Sequence, residues 1–346
     1  ARERIKQQGL GPELFSLLLG ASGGPKWFVL YGLDRYLFGD FFASRQEPLM
    51  TMGSSAGAWR LSCLGTAEPL RAIDELARRY SEETYPGQPS VEEITGKMRN
   101  MLADVLGPSG AAEIAGNTVF RTHIIADRCK GIANSRHASL QKIALGSSAM
   151  ANILSRRTLS WFFQRTIFTN MGDMTPFLAL NDLDTAIAPL RESNVIDTMI
   201  ASGSIPFILE GVRDIEGASK GLYWDGGITD YHFDMPFSKL DGLVLYPHFS
   251  PKIVPGWFDK ILRWRRPPLK HFDNVVLLTP SAQWTASLPG AKIPDRTDFE
   301  RYGEAERLGK WQQVLDASHQ LAREFSDLIS SGDGLSSIKD FSERPA

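Results

Sequence analysis

Two short apolar runs near the start of the chain each end in a Gly/Ser corner and pass directly into a segment with helical spacing. Leu14-Phe-Ser-Leu-Leu-Leu19 reads as a strand and Gly20 to Gly24 as its corner. A helix then opens at Pro25, a residue suited to the first helical turn, and carries Trp27, Leu30, Leu33 and Leu37 on one face. Pro48-Leu-Met-Thr-Met52 repeats the strand, Gly53 to Gly57 the corner, and Ala58 to Leu64 the helix. Strand, tight corner and helix in immediate repetition predict a parallel sheet with crossover helices, and hence an α/β fold.

The same patterning predicts helices over 68–81, 90–106, 148–166, 193–203 and 299–329. Strands are expected at 121–126, 137–145, 242–246 and 274–278, with a hairpin spanning Leu209 to Trp224. The Gly/Ser-rich tail after Ser330 is expected to fray. No internal repeat, low-complexity tract or linker interrupts the order, so residues 1–346 are expected to form one domain, with 240–346 adding its last strands and helices.

Composition narrows the chemistry. A formal net charge of −2 gives no global attraction to nucleic acid, and no nucleic-acid partner is expected. Two cysteines, Cys63 and Cys129, lie in apolar segments and read as buried free thiols, which favours a reducing, cytoplasmic setting. With six scattered histidines and no His-x-x-x-His or Cys-x-x-Cys spacing, neither a metal nor a cofactor is expected. The N-terminal Ala-Arg-Glu-Arg-Ile-Lys is charged and reads as neither a signal peptide nor a membrane span.

Gly-x-Ser-x-Gly marks a turn on which a serine is exposed between a strand and a helix. The pattern occurs at Gly20-Ala-Ser22-Gly-Gly24, Gly53-Ser-Ser55-Ala-Gly57 and Gly217-Ala-Ser219-Lys-Gly221, so it cannot choose by itself. Ser219 sits in a polar stretch with no helix after it and reads as a hairpin turn. Ser22 is followed by Gly-Gly-Pro, a loop of backbone amides suited to an oxyanion or a phosphate, with Gly23 and Gly24 as donors because Pro25 has no N–H. Ser55 leaves an apolar strand and enters a helix at once, which makes it the candidate nucleophile; a helix cap without chemistry is the bland alternative.

A serine hydroxyl needs a base. His248 is the most plausible histidine but has no recognisable context. Tyr223-Trp-Asp225-Gly-Gly combines an apolar approach with a carboxylate at a glycine corner; Asp230 and Asp234 lack that corner.

The loop Ser22-Gly-Gly-Pro-Lys26, the elbow Gly53-Ser-Ser55-Ala-Gly57, Ala201-Ser-Gly-Ser-Ile-Pro-Phe207 and Asp225-Gly-Gly227 together resemble, in order, the patatin-like phospholipase family. The matches span about residues 14–236. The resemblance implies a three-layer α/β/α fold with a mostly parallel central sheet, and a Ser–Asp dyad without histidine. In it Ser55 attacks an acyl ester, Asp225 is the base, and the Gly23 and Gly24 amides hold the oxyanion. The sequence departs from the family at Ser22, Pro25 and Trp27, and carries Lys26 where arginine is commoner. Lys26 is a candidate for a lipid phosphate. Acyl transfer or thioester cleavage on the same dyad, a non-catalytic lipid-binding protein and a histidine-assisted hydrolase are the rival readings.

Two stretches have the composition of a membrane contact. Residues 257–270 hold five basic side chains against one acid among Trp, Ile and Leu, and 156–165 mix arginines with Trp161, Phe162 and Phe163. The expected partners are a lipid or acyl ester and, peripherally, a membrane; helices packing aromatics inward would explain both stretches equally well.

Overall fold

Nine strands form a single sheet in a computed structural model that describes residues 1–85, 87–332 and 338–343. They are β1 (Phe15–Gly20), β2 (Leu49–Ser54), β3 (Phe120–Cys129), β4 (Phe163–Thr169), β5 (Thr185–Pro189), β6 (Val212–Arg213), β7 (Leu222–Asp225), β8 (Leu243–Pro247) and β9 (Val275–Leu278). The main path runs β5-β4-β3-β2-β1-β8-β9, and β7 pairs with both β3 and β6. Strands β3, β2, β1, β8 and β9 are mutually parallel, as is the β4–β5 pair, whereas β3–β4, β3–β7 and β6–β7 are antiparallel. The fold is α/β, with a mostly parallel central sheet flanked by helices.

The first helices are α1 (Arg2–Gln8), α2 (Tyr31–Tyr36), α3 (Ala56–Leu64), α4 (Pro69–Glu82), α5 (Val91–Leu106) and α6 (Gly110–Gly116). They are followed by α7 (Ala138–Leu154), α8 (Val195–Gly203), α9 (Ala282–Ser287), α10 (Asp298–Arg301) and α11 (Glu304–Ser331). The face expected after Pro25 is split between a 3₁₀ turn over Gly24–Leu30, α2 and a π turn over Leu37–Phe41. Every residue of α3 is buried, which places this helix against β1 and β2 at the centre of the molecule.

The expected assignments fail most clearly between 137 and 166. Residues 138–154 are helix α7, so the strand expected at 137–145 is helical while the helix expected from 148 is present, and strong helix formers (Ala, Leu, Gln, Met) dominate that run. The helix expected to reach 166 ends at Leu154; after a 3₁₀ turn, Phe163 to Thr169 pair along β3 as β4. Arg165 hides this strand from pattern analysis, because it is a charged residue at a fully buried position. The last long helix is broken at Tyr302-Gly303, and β5 lies in a stretch with no assignment. Of the tail expected to fray, 333–337 and 344–346 lie outside the described residues, whereas Phe341 stacks on Phe272 at 4.7 Å between ring centroids.

Candidate active site

Strand β3 pairs with β4 along one edge, and its other edge is shared by two strands running toward each other. Strand β2 covers residues 120–125 of that edge and stops at Ser54 opposite Ile125. Strand β7 covers 126–128 from the other direction and stops at Asp225 opposite Ala126. The C-terminal ends of β2 and β7 therefore meet head-on, and the residues just past that junction are forced together.

Ser55 is the turn residue after β2. Its φ of 54° and ψ of −132° lie where a residue with a Cβ is strained, at a typical cost of about 1–3 kcal/mol. Its carbonyl accepts from Ala58 and Trp59 to start α3, while its hydroxyl makes no cap bond. That hydroxyl donates instead to Asp225 Oδ2 at 2.8 Å, so Ser55 occupies the N-cap position without its side chain capping the helix. Glycine is needed on both sides of the corner. A Cβ at Gly57 would lie 2.0 Å from the Gly20 carbonyl oxygen, and one at Gly53 would lie 2.4 Å from Ala58 Cα.

Asp225 is held equally tightly. Its Oδ1 accepts the Gly227 amide at 2.7 Å, and a Cβ on Gly226 would lie 2.2 Å from the Ile125 carbonyl oxygen. Burial pushes its carboxyl up to about 6, opposed by the Gly227 amide, the Ser55 hydroxyl and, more remotely, Lys260 and Arg296. The segment Ala201 to Pro206 has a physical role here. Ser202 Oγ accepts the Ser55 amide at 2.9 Å and donates to the Ile125 carbonyl at 2.6 Å, while the Ser204 carbonyl accepts the Asp225 amide at 3.0 Å. The end of α8 thus clasps both backbones.

An ionised carboxylate at this position is a cost to the fold. The folded protein binds Asp225's proton up to about pH 6, whereas an unfolded aspartate releases it near 3.9, so this group's contribution to stability falls as pH rises between those values. Asp225→Asn retains an acceptor for Gly227 without the charge. The variant is expected to gain about 1–3 kcal/mol in urea unfolding at pH 8 and nothing at pH 4. A loss at pH 8 would mean that the charge is not held under desolvation.

A cleft of about 300 Å³ opens over the pair, and its wall includes Gly23, Gly24 and Lys26. The Gly24 φ of 55° favours glycine, and a Cβ on Gly23 would lie 2.6 Å from the Phe249 ring. Neither glycine amide donates to another group among the described residues. Ser22 is buried beneath them, with its hydroxyl donating to Ser54 Oγ at 2.9 Å, and Ser219 lies exposed in the β6–β7 turn.

Lys260 and Arg296 also line the cleft and escape sequence reasoning. Lys260 lies in the stretch singled out for membrane contact, whereas nothing in the sequence around Arg296 marks it. Neither these two nor Lys26 forms an ion pair among the described residues. Desolvation lowers the ammonium of Lys26, and that of Lys260 with a further push from Lys26. The Lys260 Nζ sits 3.8 Å from the centre of the Tyr231 ring.

Among the described residues no histidine lines this cleft. His248 is buried with its Nδ1 engaged by the Ser250 backbone, and burial holds it near 3. The other carboxylates are committed elsewhere: Asp230 to Arg165 and Asp234 to His271. A neutral serine against a buried carboxylate, beside free amides and in a partly cationic cleft, can support nucleophilic attack on an ester.

No family model matches the chain, and no curated protein matches it in sequence. Among solved structures it is similar to VipD from Legionella pneumophila, with 11% identity and a TM-score of 0.35, covering 90% of this chain and 67% of that one. It is also similar to the type III effector protein ExoU, with 12% identity and a TM-score of 0.27, covering 91% of this chain and 54% of that one. Likenesses this distant carry no argument about chemistry, which rests on the site itself.

Proposed function

We propose that this chain is a lipid acyl hydrolase of the patatin-like type, with Ser55 as nucleophile and Asp225 as general base. The 2.8 Å hydrogen bond from Ser55 Oγ to Asp225 Oδ2 carries the reading. As Oγ attacks the ester carbonyl, Asp225 takes its proton, and the Gly23 and Gly24 amides receive the developing oxyanion. Collapse expels the alcohol, which takes the proton from Asp225. Water, deprotonated by the same carboxylate, then releases the acid from the acyl-serine. Ile205, Pro206, Ile228 and Trp257 offer an apolar wall for an acyl chain, and Lys26 with Lys260 and Arg296 offers positive charge to an anionic headgroup.

A fluorophosphonate probe is expected to label one serine, identified as Ser55 by peptide mapping. Labelling at Ser22 or Ser219, or none, would sink the assignment. Because Asp225 must be ionised to act, kcat/KM for a neutral p-nitrophenyl ester is expected to fall tenfold per pH unit below about 6 and to level off above it. A profile flat from pH 4.5 to 8 would exclude Asp225 as the base.

A further inference from the structure

Helix α7 exposes an apolar stripe. Leu140, Ile143, Met150 and Leu154 follow one another at helical spacing and are all solvent-exposed. The residues after it add Trp161, and the turn at Trp257–Ile261 and its sequel add Ile261 and Trp264. Met150, Leu154, Trp161, Ile261 and Trp264 are 68–85% exposed, so the inward-packing reading of these stretches holds for only part of their apolar side chains. Phe162, Phe163 and Phe258 do pack inward, against a small core of their own with Trp224 and Ile228.

The two stretches, about a hundred residues apart in sequence, are joined by one buried acid. Asp259 accepts from Asn152 Nδ2 at 2.7 Å, Arg156 Nη1 at 2.8 Å and Arg265 Nη1 at 3.0 Å. Arg265 also donates to the Asn152 and Ile153 carbonyls at the end of α7. Asp259 is the sole acid in 257–270, and it is consumed internally. Residues 128–172 contain no Asp or Glu at all. The joined surface therefore presents Arg157, Arg263, Arg266 and Lys270, all exposed and without an ion pair among the described residues.

This surface adjoins the cleft at two points along the chain. Ile261 directly follows Lys260, which lines the cleft. The Lys142 Nζ of α7 lies 5.5 Å from the ring of Phe207, which directly follows the cleft residue Pro206. We propose that the α7 stripe and the 257–270 segment, locked together by Asp259, form an interfacial platform that seats the cleft mouth on an anionic lipid surface. Exposed Trp, Leu and Ile among unpaired arginines suit the boundary between acyl chains and anionic headgroups. A protein partner would instead be expected to offer acids at fixed positions and to be insensitive to lipid charge.

Flotation with vesicles of phosphatidylcholine alone, and with 30% phosphatidylserine, tests the platform. The full chain is expected to bind the anionic vesicles and to leave them as salt is raised. Arg157→Gln/Arg263→Gln/Arg266→Gln should weaken that binding by about 100-fold, at roughly fivefold per charge. Leu154→Ser/Ile261→Ser/Trp264→Ser tests the apolar half independently and should weaken it at least tenfold. Both variants should hydrolyse a short soluble ester at the wild-type rate. Equal binding to both vesicle types, no binding, or unchanged binding by either variant would overturn the proposal. So would a wild-type dimer in sedimentation that either variant dissolves, which would make the surface an interface between two copies. The outcome is separable from the esterase reading, since vesicle binding does not require Ser55.

Discussion

Replacing Ser55 by alanine is expected to lower kcat on p-nitrophenyl butyrate by about four orders of magnitude or more, with no loss of folded protein. The acyl-enzyme route has no substitute nucleophile at this position. The Ser22 hydroxyl is spent on Ser54, and Ser219 sits outside the cleft. Alanine keeps the elbow backbone, because the bonds that set it run from the Ser55 carbonyl to Ala58 and Trp59 and from its amide to Ser202. Asp225→Asn should cost nearly as much, and the double variant little more than either single, since two groups that act as a unit are not additive. Burst kinetics at the p-nitrophenolate wavelength would check both. A Ser55→Ala protein with more than about a tenth of wild-type activity would refute the assignment. A large loss in Asp225→Asn together with a gain in its stability at pH 8 would separate a chemical role from a structural one.

Arg165→Met is expected to destabilise the protein by about 3–5 kcal/mol, read from the urea midpoint with an unchanged slope. The Arg165 guanidinium is fully buried and grips two carboxylates: Asp230 at 2.6 and 3.0 Å, and Asp182 at 2.8 and 2.9 Å. Beside it Asp127, also buried, accepts the amide and hydroxyl of Thr229 at 2.9 and 2.8 Å. Burial and then the neighbouring Asp230 push the Asp127 carboxyl well above the usual carboxylate range. Removing the cation leaves acids at the base of the very turn that presents Asp225, since the Asp230 amide donates to the Gly226 carbonyl. Arg165 helps to hold the Asp182 carboxyl below the usual carboxylate range and opposes the rise of Asp127, so the stability it supplies through these acids is lost as they are protonated at low pH. The deficit should therefore be smaller at pH 5 than at pH 8. Arg165→Met/Asp230→Leu should recover part of it by removing the orphaned charge. A deficit below about 1 kcal/mol at pH 8 would show that the network does not support the turn.

Much of this architecture is legible because it is local. Runs such as Leu17 to Leu19 and Leu243 to Leu245 declare strands, and the glycines at 20, 53, 57 and 226 declare corners where backbone meets backbone. The positions of Ser55, Gly23, Gly24 and Asp225 on those corners follow from the sequence, because each sits where a strand ends. Local patterning misleads where tertiary charge matching overrides it. Arg165 makes a central strand look like the polar face of a helix, and the exposed apolar stripe of α7 makes a surface helix look like a buried strand.

The sequence by itself therefore determined the parallel α/β layout and the corner residues, since turn chemistry and side-chain period act over a few residues. Only the tertiary structure decided that Ser55 and Asp225, 170 residues apart, stand 2.8 Å from each other. That distance comes from β2 and β7 sharing one edge of β3 and ending face to face, a register set by pairing across the sheet. Lys260 and Arg296 reach the cleft, and Asp259 draws two distant basic stretches together, for the same reason. Such contacts arise from the packing of whole elements, and no neighbouring residue encodes them.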